Sequence, residues 1–510
     1  MKTMKKVFAF FLMVTMVLAM ASTAFAANIT IDGGTTGSEY AAYKLLVAND
    51  LGDGKFAYTL NNTYADALKE VTGKTTGKDI IEYIAGLDTD GIRTFADDVY
   101  AEVKDMDPDY ETTTDTFENV AQGYYLIVET KTGSAGDDGA EDTYSLVMLD
   151  TAGKDNVTIE TKEDTPELEK KVQEKNDSTG STSGWQDGAD YDINDAVPFK
   201  LTGTVSEKYA DYEKYYYAFH DEMSAGLTFN KDSVVVKVDG KVVDPKDYDV
   251  VTTGLTDDCT FEVIFDNLKT IVAEDGKTVT ASSKITVEFT ATLNGNAVIG
   301  KPGNPNEAKL EYSNNPYDEG EGKPETGETP EDKVIVFTYE LIANKVDDEG
   351  EALEGAGFTL YKWVISDSAP SGAWVTVGDE ITGTTTFTFS RLDAGQYKLV
   401  ETTVPKGYNK AADIEFTIEA TYDIDSADPK LTGLVIRNAD GEVISDGEDA
   451  VFNIDVDNGS MTTEVVNKIG LELPSTGGMG TTIFYVVGGL LMAGAVVMLI
   501  TKKKMSAHED

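Results

Sequence analysis

The chain has 510 residues, too many for one ordinary hydrophobic core and suited to about three domains of ~150 residues. Hydrophobic residues make up 41% and charged residues 26%, a globular balance that excludes general disorder. Asp and Glu number 91 against 42 Lys and Arg, and the formal charge of −49 argues against nucleic-acid binding, because a phosphate backbone must be met by Lys and Arg. The lone Cys259 permits no intramolecular disulfide and is not expected to build a thiolate zinc site, and two histidines, His220 and His508, nearly exclude imidazole catalysis.

The N-terminus reads as a secretory leader. Lys2, Lys5 and Lys6 precede an apolar run from Val7 to Met20, and Ala24-Phe25-Ala26 is a small–x–small cleavage site. The expected signal peptide is 1–26, cut between Ala26 and Ala27. Beyond it the sequence alternates in the β pattern, as in Tyr125-Leu126-Ile127-Val128, Ser233 to Val238 and Lys284 to Phe289, with Asp239-Gly240 and Asn294-Gly295 as turns. Short strands at regular spacing predict a mainly β chain of tandem immunoglobulin-like sandwiches. Helical spacing is confined to Tyr64–Leu68 and Asp79–Ala85. Composition shifts at Lys162-Glu163-Asp164-Thr165-Pro166 and from Asn315 to Pro330 divide the chain into blocks 27–163, 164–328 and 329–470, followed by a tail over 471–510.

In the first block, Ala41-Ala42-Tyr43-Lys44-Leu45-Leu46 and Gly123-Tyr124-Tyr125-Leu126-Ile127-Val128-Glu129-Thr130 resemble the N-terminal domain of Gram-positive, sortase-assembled pilus backbone subunits. The resemblance implies an acceptor lysine near the end of this block. Val157-Thr158-Ile159-Glu160-Thr161-Lys162 keeps the spacing and alternation of the family's Val-x-Val-Tyr-Pro-Lys segment, with Glu160 and Thr161 in place of Tyr and Pro, and Lys162 is the expected polymerisation lysine. The opening strand, Asn28 to Asp32, has no Lys, so no internal cross-link is expected in this block.

The second block opens with Leu168-Glu169-Lys170-Lys171-Val172, closes with Leu310 to Pro316 and holds Phe219-His220-Asp221-Glu222 between them. It resembles the second domain of the same pilins, which implies an isopeptide bond between a Lys and an Asn, assisted by an acid. Alternation puts Leu168, Lys170 and Val172 on one face, Leu310, Tyr312 and Asn314 on another, and Tyr217, Phe219 and Asp221 on a third. The expected trio is Lys170, Asn314 and Asp221, with Lys171, Asn315 and Glu222 as alternatives. His220 reads as a packing residue.

The third block contains Lys345-Val346-Asp347, Gly357-Phe358-Thr359-Leu360-Tyr361 and Leu392 through Glu401-Thr402-Thr403-Val404-Pro405 to Tyr408. These segments resemble the collagen-adhesin B-type domain, which implies a second cross-link joining Lys345 to Asn467 with Glu401 assisting. Alternation from Ile335 through Phe337, Tyr339, Leu341 and Ala343 turns Lys345 toward the core. A buried Lys loses its charge readily and a buried Glu keeps its proton. Held together, they could carry out amine attack on an amide with proton relay.

The tail joins Leu473-Pro474-Ser475-Thr476-Gly477 to an apolar run from Ile483 to Ile500 and then Lys502-Lys503-Lys504. Together these resemble a cell-wall sorting signal, cleaved between Thr476 and Gly477. The resemblance implies a structural major pilin rather than an enzyme with turnover, at the cell surface, with no cofactor and no metal ligands. Its implied partners are pilus-class and housekeeping sortases, further copies of itself, accessory pilins, peptidoglycan and a host surface ligand. The rival reading is a wall-anchored adhesin or minor pilin that is not polymerised.

Overall fold

The computed structural model describes the chain except for residues 1–25, 34–36, 136–139, 142, 161–164, 318–323, 448–449, 470–478 and 507–510. It divides into two compact units, one of residues up to Lys175 with Thr182–Thr338 and Thr421–Thr432, the other of Asn176–Ser181, Tyr339–Ala420 and the chain from Gly433 onward.

The first unit begins with a 3-stranded sheet ordered Asn156–Glu160, Ala26–Asp32, Thr116–Ala121, and a 5-stranded sheet built around Glu39–Gly52 and Gly123–Lys131. These two central strands are apolar on both faces. Tyr40, Ala42, Tyr125 and Ile127 meet Ile29, Ile31, Phe117 and Ile159 from the smaller sheet. The alternate residues, Ala41, Tyr43, Leu45, Leu126 and Val128, face Leu68, Ile80, Ile84, Phe95 and Val99 from three helices. A strand covered on both sides gives up polar alternation for a nearly continuous apolar run.

The helices are Ala65–Thr72, Gly77–Ala85 and Thr89–Val103. Two of them start on side-chain caps: Thr76 Oγ1 accepts from Asp79 N at 3.2 Å, and Asp88 Oδ1 accepts from Gly91 N at 2.9 Å. The first two match the sequence expectation. The third was not expected, although Ile92, Phe95, Ala96, Val99 and Val103 follow helical spacing.

The second part of this unit is a sandwich. One sheet is ordered Ser181–Gln186, Leu168–Asn176, Ala196–Gly203, Ile285–Leu293, Leu227–Val238, Lys241–Val242. The other runs Gly188–Asp190, Asp332–Phe337, Asn304–Ser313, Tyr217–Met223, Phe261–Phe265, Asp249–Val251, with Thr326–Glu328 added beside Asn304–Ser313. Strict inward alternation fills the space between them, as in Phe199 and Leu201 against Phe219, Leu310 and Tyr312. Asp239 and Gly240, both at positive φ (50° and 77°), close the tight hairpin from Val238 to Lys241.

The second unit has a 4-stranded sheet ordered Thr386–Leu392, Tyr339–Val346, Ser460–Val466, Phe452–Asp455. A second sheet contains Gly357–Ser366 and Gly395–Thr403 at its centre. The expected continuous strand from Ile335 to Lys345 is instead two strands, Asp332–Phe337 and Tyr339–Val346, separated at Thr338. The alternation that buries Lys345 therefore runs from Tyr339 onward. The tail forms a helix, Met479–Ser506, exposed along most of 486–500. Among the described residues no helix is long and apolar enough to cross a membrane, and the side chains at 483–485, the start of the expected span, lie outside those described.

Candidate functional site

In the first sandwich, Lys170 lies on Leu168–Asn176 and points between the sheets, where its side chain is 0% exposed. Its Nζ sits 5.7 Å from the Phe199 ring centre and 5.6 Å from that of Phe289. It bonds directly to Asp221 Oδ2 from the opposite sheet, another fully buried group. Burial pushes the Lys170 amine down from the usual lysine pKa, against the pull of Asp221, Asp332 and Glu307. Burial likewise pushes the Asp221 carboxyl up, with Lys170 and Asn306 pulling back. Both directions favour an uncharged amine beside a protonated acid.

The amide that reaches this pair is Asn306. Along Asn304–Ser313, Ala308 is paired with Asp221 and Asn306 with Met223, so Asn306 lies on the neighbouring strand close to the acid. Its side chain is fully buried and bears on the Asp221 carboxyl, yet neither Asn306 Nδ2 nor Oδ1 completes a hydrogen bond among the described residues.

The expected Asn314 is not brought to this site. It lies just past the end of the strand, beyond Tyr312, which pairs with Tyr217. At about 3.3 Å per residue, six residues past Ala308 is about 20 Å from the Asp221 level. Its backbone N donates to Glu325 O, and its Nδ2 approaches Thr132 Oγ1 at 3.5 Å. Asn306, Ala308, Leu310 and Tyr312 share the inward face of this strand, and alternation cannot set how far along that face the partner lies. The alternatives fall away too. Lys171 Nζ pairs with Asp187 at 2.5 Å, Glu222 is exposed, and Asn315 Nδ2 donates to Glu325 at 2.9 Å.

The second unit does bring its expected trio together. Tyr339–Val346 and Ser460–Val466 run parallel, with Lys345 opposite Val465, and Asn467 N donates to Val346 O at 3.0 Å. Lys345, Glu401 and Asn467 are each at most 2% exposed. Asn467 Nδ2 donates to Glu401 Oε1 at 2.8 Å, and Glu401 Oε2 accepts from Ala411 N at 2.7 Å. Lys345 Nζ donates to Val465 O at 2.7 Å and Val346 O at 3.0 Å. Burial lowers the Lys345 pKa, with Glu401 and Asp347 opposing. Asn467 Oδ1 has no hydrogen-bond partner among the described residues.

Three other expected features lie wholly or partly outside the described residues. Lys162 follows the strand Asn156–Glu160, which pairs in parallel with the opening strand (Ile31 with Ile159, Asp32 with Glu160), but is itself not described. Leu473, Pro474, Ser475, Thr476 and Gly477 are not described either. At the expected leader cut, Ala26 and Ala27 open the first strand, and Ala27 is buried against the first core.

With this geometry in view, three family models match the chain. A Gram-positive pilin backbone subunit 2, Cna-B-like domain covers 193–316, a prealbumin-like fold domain covers 340–430 and an LPXTG cell wall anchor motif covers 466–506. The trypsin-resistant surface T6 protein of Streptococcus pyogenes serotype M6 is 29% identical over 342 residues, which are 56% of this chain. The match spans 60% of that relative's length. The solved T6 backbone pilin of serotype M6 Streptococcus pyogenes, described as a modular three-domain structure, shares the fold. It is 20% identical, with a TM-score of 0.52 over 88% of this chain and 100% of that one. Residues 193–316 thus match a Gram-positive pilin backbone domain and residues 466–506 an LPXTG cell wall anchor motif, the two kinds of segment its motifs led us to expect.

Proposed function

We propose that the chain is the backbone subunit of a covalently polymerised surface pilus anchored to peptidoglycan, braced by isopeptide bonds Lys170–Asn306 and Lys345–Asn467. The observation that carries this reading is the repeated buried Lys, acid and Asn in two successive β domains. In each, the neutral Lys Nζ attacks Asn Cγ, the Cγ–Nδ2 bond breaks, and the amine proton leaves with Nδ2 as ammonia. Asp221 and Glu401 hydrogen-bond the reacting groups and relay that proton. Each chain reacts once, so this is self-modification without turnover.

Between copies, a pilus-class sortase cysteine takes the acyl group of Thr476, releasing the chain from Gly477 onward, and passes it to Lys162 of another copy. A housekeeping sortase attaches the last copy to peptidoglycan. Accessory pilins and a host surface ligand complete the partners, and the acidic surface leaves no place for nucleic acid.

The intact mass of the chain from Ala27 to Thr476, with tandem mass spectrometry of its peptides, tests the internal bonds. Two ammonia losses, about 17 Da each, should map to Lys170–Asn306 and Lys345–Asn467. A mass equal to the plain sequence would overturn them. Polymerisation has its own readout. Lys162→Ala should turn the ladder of high-mass species in cell-wall extracts into monomer, whereas an unchanged ladder points to another acceptor. A wall-anchored adhesin would show monomer in both.

A further inference from the structure

His220 was expected only to pack. It lies on the outward face of Tyr217–Met223, beside inward-facing Asp221, and pairs across the sheet with Glu262 on one side and Lys309 on the other. It is 8% exposed, and both ring nitrogens face carboxylates. Nδ1 lies 2.7 Å from Asp257 Oδ2 and 3.5 Å from Glu262 Oε1, while Nε2 lies 3.3 Å from Glu311 Oε2. The chain's only cysteine joins the same cluster, with Cys259 Sγ 3.8 Å from Glu262 Oε1. One donor atom from each of His220, Asp257, Cys259 and Glu262 falls within 4.8 Å of all the others. His220, Asp257 and Cys259 border a cavity of about 30 Å³, also lined by Glu222, Glu307 and Lys309, with room for roughly one ion or water.

We propose that His220 Nδ1, Asp257, Cys259 Sγ and Glu262 form a site for one divalent ion of the zinc class. A tetrahedral ion with bonds of about 2.0–2.3 Å holds its ligands about 3.3–3.8 Å apart. The His220–Glu262 and Cys259–Glu262 separations already fall in that range, and the His220–Asp257 contact has to open by roughly half an ångström. Imidazole and thiolate donors select zinc-like ions over calcium or magnesium, which take oxygen alone. Glu311 on Nε2 supplies the outer carboxylate that fixes the ring with Nδ1 toward the ion. Binding releases the Cys259 thiol proton and, from the imidazolium, the Nδ1 proton. Lys309, 3.8 Å from Asp257, gives way and keeps its 3.0 Å pair with Glu328. The ion ties the segment between Val251 and Phe261 to the strand that carries Asp221.

The test uses the chain from Ala27 to Thr476. Stoichiometric cobalt should give a thiolate-to-metal charge-transfer band, and zinc should displace it. Zinc should also shield Cys259 from alkylation in the unmutated chain, a readout that needs no variant. Cys259→Ser should abolish the band and weaken zinc binding by at least about tenfold, the scale on which even outer partners of a metal act. The metal-free melting temperature of this variant checks that it is folded. A cobalt complex without the thiolate band, alkylation indifferent to zinc, or equal zinc binding by Cys259→Ser would each overturn the site in favour of diffuse binding to the acidic surface.

Discussion

Two buried lysines sit in two sandwiches and are held in opposite ways. Lys170 comes from one sheet, while Asp221 and Asn306 sit on adjacent strands of the other, so a bond there bridges the sheets. Lys345 and Asn467 lie at the ends of adjacent parallel strands in one sheet, and only Glu401 comes from across the core. The contacts of the acid differ as well. Asp221 touches the amine, whereas Glu401 touches the amide and leaves Lys345 to two backbone carbonyls. The same three residue types thus meet through two strand arrangements, so what recurs is a buried site whose acid hydrogen-bonds a reacting group rather than a fixed strand geometry.

The largest expected effect tests that contrast directly. Asp221→Ala should block its cross-link, a loss of about 5 kcal/mol for a loop of over 100 residues. It also leaves the buried amine without its acid partner, adding about 1–3 kcal/mol. Glu401→Ala should cost mainly the cross-link, because Lys345 keeps its carbonyl acceptors. Denaturant unfolding of both variants, with masses to confirm the missing bonds, compares them, and equal costs would erase the distinction. Next in size, Asn306→Ala should remove one ammonia loss and about 5 kcal/mol of stability. Asn314→Ala should leave the mass deficit whole, and the opposite result would return the first site to Asn314.

A smaller effect depends on pH. In Asn467→Ala, Lys345 remains an amine whose folded pKa lies below the ordinary value of about 10.4. Between those two values the unfolded chain binds a proton that the folded chain does not, so stability should rise with pH across that window and level off above it. A cross-linked chain would lack this contribution, since an amide nitrogen does not titrate there. Melting at neutral and alkaline pH should show the rise in the variant only, and parallel curves would argue against a depressed Lys345. Lys171→Ala should leave both cross-links in the mass and cost about 1.5–3 kcal/mol, the scale of a charge-assisted hydrogen bond, because it takes the half-buried amine from the buried Asp187.

How much of this could be read from sequence follows from what period-2 patterns encode. Alternation assigns faces, and Tyr339, Leu341, Ala343 and Lys345 are all buried as their parity requires. It does not encode register between strands distant in sequence, so it could not show that Asn306, rather than Asn314, lies beside Asp221. Nor does it reveal a break inside an apolar run: Val334 to Phe337 are buried in succession, so nothing in the pattern separates them from the strand after Thr338. The third helix was missed because Asp and Thr around Ile92 and Phe95 mask its apolar stripe. The His220 cluster was illegible for a different reason. His220 and Glu262 meet only through cross-strand pairing, and Cys259 is brought in by the segment just before that strand.

The strand pairing also sets an order of events in time. Asn28 finds its partner Asn156 only 128 residues later, and Lys345 finds Val465 only 120 residues later. A chain threaded outward from its N-terminus exposes each opening strand long before the strand that completes its sheet. In such an export each of these domains would stay open, its lysine or expected leader junction still accessible, and would close only when its last strand emerges. Cleavage at the expected junction between Ala26 and Ala27 would fall within that interval, before Ala27 is sealed into the first core.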